Sequence, residues 1–130
     1  MPSKRIFLDS SVWITYLEDE PGADRFERLF EESSAAFTSL LNYFEILLWY
    51  QHRKPEKVRF VAGQIKAKSR LLTVTESDVF EALRLKQVYH AFSLADALSL
   101  ACSRKVGSLF VTADSDFEKV PGVVFLRPKN

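Results

Sequence analysis

Four carboxylates in this chain stand apart from other charge, in apolar sequence. Asp9 closes Ile6-Phe7-Leu8, Glu45 interrupts the run from Tyr43 to Leu48, Asp96 lies in Leu94-Ala95-Asp96-Ala97-Leu98, and Asp114 follows Leu109-Phe110-Val111-Thr112. Asp9 is the only acid between residues 1 and 17, Glu45 the only one between 33 and 55, and Asp96 the only one between 82 and 113, so none belongs to a solvated charge surface. An ionised carboxylate in low dielectric costs several kcal/mol unless a cation or donors compensate it. Acids in core-like segments therefore suggest convergence on a divalent metal, and oxygen-only ligation is what a hard ion such as Mg²⁺ or Mn²⁺ prefers.

Each acid also has a plainer explanation. Asp9 can cap a helix beginning at Ser10. Ser93 and Asp96 resemble a capping box with Asp in place of Glu. Asp114 and Asp116 fit an Asx turn or the cap of a short helix through Phe117. Glu45 has no capping role, since Leu41, Phe44 and Leu48 form an apolar stripe beside it and Ile46 and Leu47 cover the other side; reaching water or an arginine is its alternative.

The elements that must position these residues follow from periodicity and punctuation. Arg5 to Leu8 reads as a strand, Asp9-Ser10-Ser11 as a cap and Val12 to Leu17 as a helix, broken at Pro21-Gly22 before a second helix reaching about Ser33. Ala35 to Thr38 is a second strand, feeding a helix from about Leu40 to Gln51 that is apolar almost all round and so expected to be buried. Pro55 starts another helix. Leu71 to Val74 is strand-like, and Thr75-Glu76-Ser77-Asp78 opens a helix with Val79, Leu83 and Val88 on one side, followed by a junction near Ala91. The next helix runs from Ser93 to a stop at Gly107. Ser108 to Thr112 and Val123 to Leu126 are the last strands. Alternating strands and helices predict an α/β sandwich around a mostly parallel sheet of four to five short strands. In such a sheet Asp9 and Asp114 fall at the carboxyl ends of strands, where ligands bind.

Composition bounds the function. The 130 residues, 47% of them hydrophobic, fit a single domain spanning 1–130 with a real core. A net charge of +1 provides no field for a polyanion, so RNA would meet a local patch. Residues 53–70 supply seven cations against Glu56 alone, whereas residues 18–32 hold seven acids and two arginines. Two solvated helix faces explain that asymmetry as well as an RNA-facing or partner-facing role does. Cys102 is the sole cysteine, which excludes an internal disulfide and a cysteine-based zinc site. No apolar run approaches the roughly 20 residues of a membrane helix, so a cytoplasmic protein without membrane contact is expected.

The stretches Phe7 to Ile14, Ser39 to Ile46, Ser93 to Leu98 and Leu109 to Phe117, in this order, resemble the PIN-domain family of metal-dependent ribonucleases, and within it the VapC-type toxins of toxin–antitoxin pairs. The resemblance implies a PIN-like three-layer sandwich. It places Asp9, Glu45, Asp96 and Asp114 on the family's acidic quartet, with Asp116 as an auxiliary acid and Thr112 as the hydroxyl residue nearby. Asp9, Asp96 and Asp114 would then hold Mg²⁺ or Mn²⁺, and Glu45 would orient or deprotonate an attacking water. It further implies cleavage of single-stranded or loop RNA to a 5′-phosphate and a 3′-hydroxyl, a cognate antitoxin and a homodimer. A groove formed by Trp13, Tyr16, Trp49 and Tyr50 is one expected antitoxin contact, although all four also suit a core. A catalytically silent PIN module that binds RNA or protein is the alternative. A receiver-like or phosphatase domain would leave Glu45 without a role, and His52 and His90 are not placed for a paired-histidine ribonuclease.

Overall fold

The computed structural model describes residues 4–126. Its elements are β1 (Lys4–Leu8), α1 (Ser10–Leu17), α2 (Ala23–Glu32), β2 (Ser33–Ser39), α3 (Leu40–Arg53), a 3₁₀ turn (Pro55–Lys57), α4 (Val58–Lys68), β3 (Arg70–Leu72), α5 (Glu76–Val88), α6 (Leu94–Lys105), β4 (Leu109–Thr112), a second 3₁₀ turn (Ser115–Phe117) and β5 (Val123–Phe125). This is the order that periodicity predicts. The strands form one sheet in the order β3-β2-β1-β4-β5, and all four pairings are parallel. β1 is the switch strand: the chain moves to one side of it through β2 and β3, then returns to its other side with β4. That reversal opens a crevice at the carboxyl ends of β1 and β4.

The alternation of side chains along a strand divides the interior into two cores. Ile6 and Leu8 point to one face and Phe7 to the other, as do Val111 and Phe110 on β4. On the first face Trp13, Phe26, Ile46, Tyr50 and Ile65 from α1 to α4 complete the core. On the second, Leu85, Phe92, Leu100 and Phe117 pack around α5 and α6. Phe7 stacks on Phe110 at 5.5 Å, and Phe117 contacts both Phe110 and Phe92 with ring centroids 4.6 and 4.7 Å apart. The outcome is helices on both faces of a sheet, the expected three-layer sandwich.

Helix starts follow local chemistry. Ser39 caps α3 by accepting the Asn42 N–H, while Thr75 with Asp78 and Ser93 with Asp96 form reciprocal capping boxes on α5 and α6. Gly107, at φ 63°, follows the end of α6 in the left-handed region that closes helices. Among the described residues no helix is long and apolar enough to cross a membrane.

One expectation is corrected and two open points are decided. α3 is not buried all round: Leu40, Phe44 and Leu48 are exposed, and its inward stripe is Asn42, Ile46 and Tyr50. On α5 the apolar side formed by Val79, Leu83 and Val88 faces outward, while Asp78, Ala82 and Leu85 are buried. Trp13 and Tyr50 are fully buried, so neither lines a surface groove. Periodicity finds a stripe but not its direction. The acidic and basic segments meet in part: Glu18 pairs with Lys54 and with Lys57, and Lys68 lies over the rings of Tyr16 and Phe30.

Candidate metal-binding active site

Asp9 follows β1 directly, and its N–H continues the ladder to Val111 O at 3.0 Å, which sets it between β1 and β4. It stands at the N-cap position of α1, but its side chain makes no capping bond. Instead, Oδ2 accepts from Thr112 Oγ1 at 2.8 Å and Ser11 Oγ at 3.0 Å, and Oδ1 accepts from Asn42 Nδ2 at 3.3 Å. All these donors are neutral, and the residue is 8% exposed. Burial therefore dominates and pushes its carboxyl up to about 6; the Thr112, Ser11 and Ser10 hydrogen bonds pull it back, and the charge of Asp96 adds to the rise.

Thr112, the last residue of β4, is fully buried and links two of the acids. Its hydroxyl donates to Asp9 and accepts the Asp114 N–H at 3.0 Å. Asp114 in turn caps the 3₁₀ turn, its Oδ1 accepting the Asp116 N–H at 2.9 Å. Asp96, at the third position of α6, has Oδ2 in the capping box with the Ser93 N–H at 3.0 Å. The capping explanations thus hold for Asp96 and Asp114, and they orient the acids without supplying positive charge.

Asp96, Asp114 and Asp116 each offer a carboxylate oxygen within 4.8 Å of the others. The structure therefore brings Asp116, expected as auxiliary, into the compact group, while Asp9 lies deeper and reaches it through Thr112. Burial raises the carboxyl of Asp96, the Ser93 bonds oppose that, and the charges of Asp114 and Asp116 raise it further. Glu45 projects from the second turn of α3, with Oε1 accepting from Ser10 Oγ at 2.8 Å. Its carboxyl is raised by burial, lowered by the Ser10 bond and raised again by Asp96. The charge of Asp96 thus reaches both Asp9 and Glu45, as a nearby charge of like sign does.

Among the described residues, no lysine, arginine or histidine forms an ion pair with Asp9, Glu45, Asp96, Asp114 or Asp116. A cluster of carboxylates without an internal cation fits a divalent ion chemically: every donor is a hard oxygen, and the outer three stand close enough for one ion, directly or through water.

Four residues at this edge escape a reading aimed at acids: Asn42, Ser10, Ser11 and Ser99. Asn42 is fully buried. Its signal was present, because Asn42 and Glu45 are the only amide or charged residues between Leu40 and Tyr50 and lie three apart, on one side of a helix. Ser11 Oγ, besides donating to Asp9, accepts the Ala113 N–H at 3.1 Å and ties α1 to the loop after β4.

Residues 6–123 match the PIN domain family. No curated protein matches the sequence. Among solved structures, the fold is similar to a toxin–antitoxin complex from Klebsiella pneumoniae, with a TM-score of 0.77 at 18% identity, covering 95% of this chain and 99% of that one. It is also similar to VapC20 of Mycobacterium tuberculosis, described as a Sarcin-Ricin loop cleaving toxin, with a TM-score of 0.72 at 25% identity over 95% and 99% of the two chains. VapBC2 from Rickettsia felis, bound to a DNA fragment from its promoter, gives 0.74 at 12% identity over 93% and 96%.

Proposed function

The chain belongs to the PIN-domain family, and from that membership we propose that it is a metal-dependent endoribonuclease, the toxin of a toxin–antitoxin pair, acting in the cytoplasm as one domain over residues 1–130. The observation that carries the reading is the group Asp96, Asp114 and Asp116, whose carboxylate oxygens lie within 4.8 Å of one another, with Asp9 tied to Asp114 through Thr112 and no ion pair to any of them among the described residues. A purely structural cluster of this kind would be a standing cost. The similarity to a toxin described as Sarcin-Ricin loop cleaving supports the choice of RNA.

In this reading Asp9, Asp96 and Asp114 hold Mg²⁺ or Mn²⁺, with Asp116 contributing from the rim. When bound, the ion offsets charge on a phosphodiester and makes an attacking water more acidic. Glu45, half-buried and fixed by Ser10, orients that water and takes its proton. Thr112 keeps Asp9 in one orientation through its 2.8 Å hydrogen bond. The water attacks phosphorus in line, the bond to the 3′ oxygen breaks, that oxygen takes a proton from solvent, and a 5′-phosphate and a 3′-hydroxyl result.

Two protein partners belong to the proposal. A second copy would cover apolar side chains that stand exposed, Val79, Leu83 and Leu94 around one pocket between α5 and α6 and Leu40, Phe44 and Leu48 on α3. An antitoxin would place a basic or apolar segment beside the acids. The similarity to toxin–antitoxin complexes supports the latter.

The test is incubation of the purified chain with total RNA and Mn²⁺, with and without EDTA. Cleavage that EDTA stops and that Asp9→Asn lacks is the expected result. Cleavage indifferent to EDTA would remove the mechanism, and RNA retained but uncut would identify a silent binding module.

A further inference from the structure

Asn42 is an uncharged side chain that touches both the deepest acid of the site and the acid on α3. Its Nδ2 donates to Asp9 Oδ1 at 3.3 Å and Ser10 Oγ at 3.0 Å, and lies 3.5 Å from Glu45 Oε1. Its Oδ1 accepts from Ser39 Oγ at 2.6 Å and Ser99 Oγ at 3.1 Å. The side chain is fully buried, as are Ser39 and Ser99. Anionic acceptors on one end and hydroxyl donors on the other select a single orientation of the amide, because the reverse would set its carbonyl oxygen against two carboxylates. The cap of α3 does not need this amide, since the Asn42 backbone N–H already donates to Ser39 Oγ at 3.1 Å.

The network joins the β1–α1 junction, the β2–α3 junction and α6 at one point. A buried polar cluster with every member satisfied holds one geometry. An amide also does this without neutralising the acids, whereas a lysine there would close the site with its own charge. We propose that Asn42 is the positioning residue of the site: it fixes Glu45, the carboxylate assigned to the water, at a set separation from Asp9, the carboxylate assigned to the cation, and Ser99 sets the amide that does so. The inference rests on the metal-dependent cleavage proposed above.

The experiment compares the full chain with Asn42→Ala, Ser99→Ala and the double variant. It measures Mn²⁺ affinity without RNA, kcat and KM on a short fluorescent RNA, and the melting temperature. Asn42→Ala should weaken Mn²⁺ binding by about tenfold, as loss of a partner behind a metal ligand does, and lower kcat by about 10²-fold with KM little changed. Ser99→Ala, whose hydroxyl contacts no acid in this network, should lower kcat several-fold, and the double variant should be no worse than Asn42→Ala. A lower melting temperature with unchanged Mn²⁺ affinity and kcat would overturn the proposal, as would additive effects of the two substitutions. If Asn42→Ala does not fold, Ser99→Ala carries the test: kcat equal to that of the parent would overturn it. If the parent chain cuts no RNA, the ribonuclease reading fails, and the Mn²⁺ affinity of Asn42→Ala still decides whether the amide holds Asp9.

Discussion

Asp78 and Asp9 are both buried aspartates at the start of a helix, and their surroundings differ in one respect. Asp78, on the α5 side of the molecule, is 3% exposed and has Lys105 Nζ at 2.6 Å, with the Thr75 N–H at 2.8 Å. Burial pushes its carboxyl up, but the Lys105 and Thr75 hydrogen bonds and the lysine charge together bring it below the ordinary value. Asp9, at the carboxyl edge of the sheet, is 8% exposed, meets only neutral donors among the described residues and rises to about 6. Glu18 repeats the first solution: it pairs with Lys54, accepts from Tyr50 Oη at 2.7 Å and is lowered chiefly by the Lys54 bond. This chain therefore compensates an acid internally where the acid holds helices together. At the sheet edge the described residues supply no such cation, which is the arrangement the proposed metal ion would complete.

Asp9→Asn probes that contrast with the largest effect. Removing a metal ligand should lower RNA cleavage on the order of 10³-fold or more, whereas Asp78→Asn should leave kcat of the folded protein unchanged; equal losses in the two variants would erase the distinction. A second effect separates them by pH. Between the ordinary 3.8 of Asp9 and its folded value of about 6 the native chain binds the extra proton, so stability from this group is full below about pH 4 and is lost as pH rises through 6. The loss amounts to about 3 kcal/mol without metal. In EDTA at pH 7.5, Asp9→Asn should accordingly be more stable than the parent chain in chemical denaturation, with the advantage gone near pH 4. Mn²⁺ should stabilise the parent chain at pH 7.5 and the variant far less.

Asp78→Asn should destabilise through an uncompensated Lys105. Because that side chain is 32% exposed and can turn to water, the cost is about 1–3 kcal/mol, read from a urea midpoint. Tyr50→Phe is the smallest test. It removes one donor from Glu18, costs about 1 kcal/mol, and should leave Mn²⁺ affinity and cleavage as they were; a change in either would couple the structural ion pairs to the site.

Legibility differed by the range of the interaction. Asp9, Glu45, Asp96 and Asp114 stood out because an acid in an apolar run is anomalous within a few residues of chain. The capping roles of Asp96 and Asp114 were equally local, and the structure shows them coexisting with a place at the shared edge. Asn42 was overlooked because an amide carries no charge to flag it, and its partners Asp9 and Ser99 lie 33 and 57 residues away. The outward turn of Phe44 was misread, and that of Leu83 left open, because an apolar stripe marks an interface without saying whether the same chain forms it.

The amino-acid sequence alone determined the succession of strands and helices and the identity of the acids, because capping, breaking and periodicity act between neighbours along the chain. Only the tertiary structure decided which strand is the switch, which of the acids stand within one ion's reach, and that no lysine or arginine among the described residues pairs with them. Those depend on parallel pairings between distant segments and on side chains brought together from four elements, and burial without a partner charge exists only once the chain has closed around them.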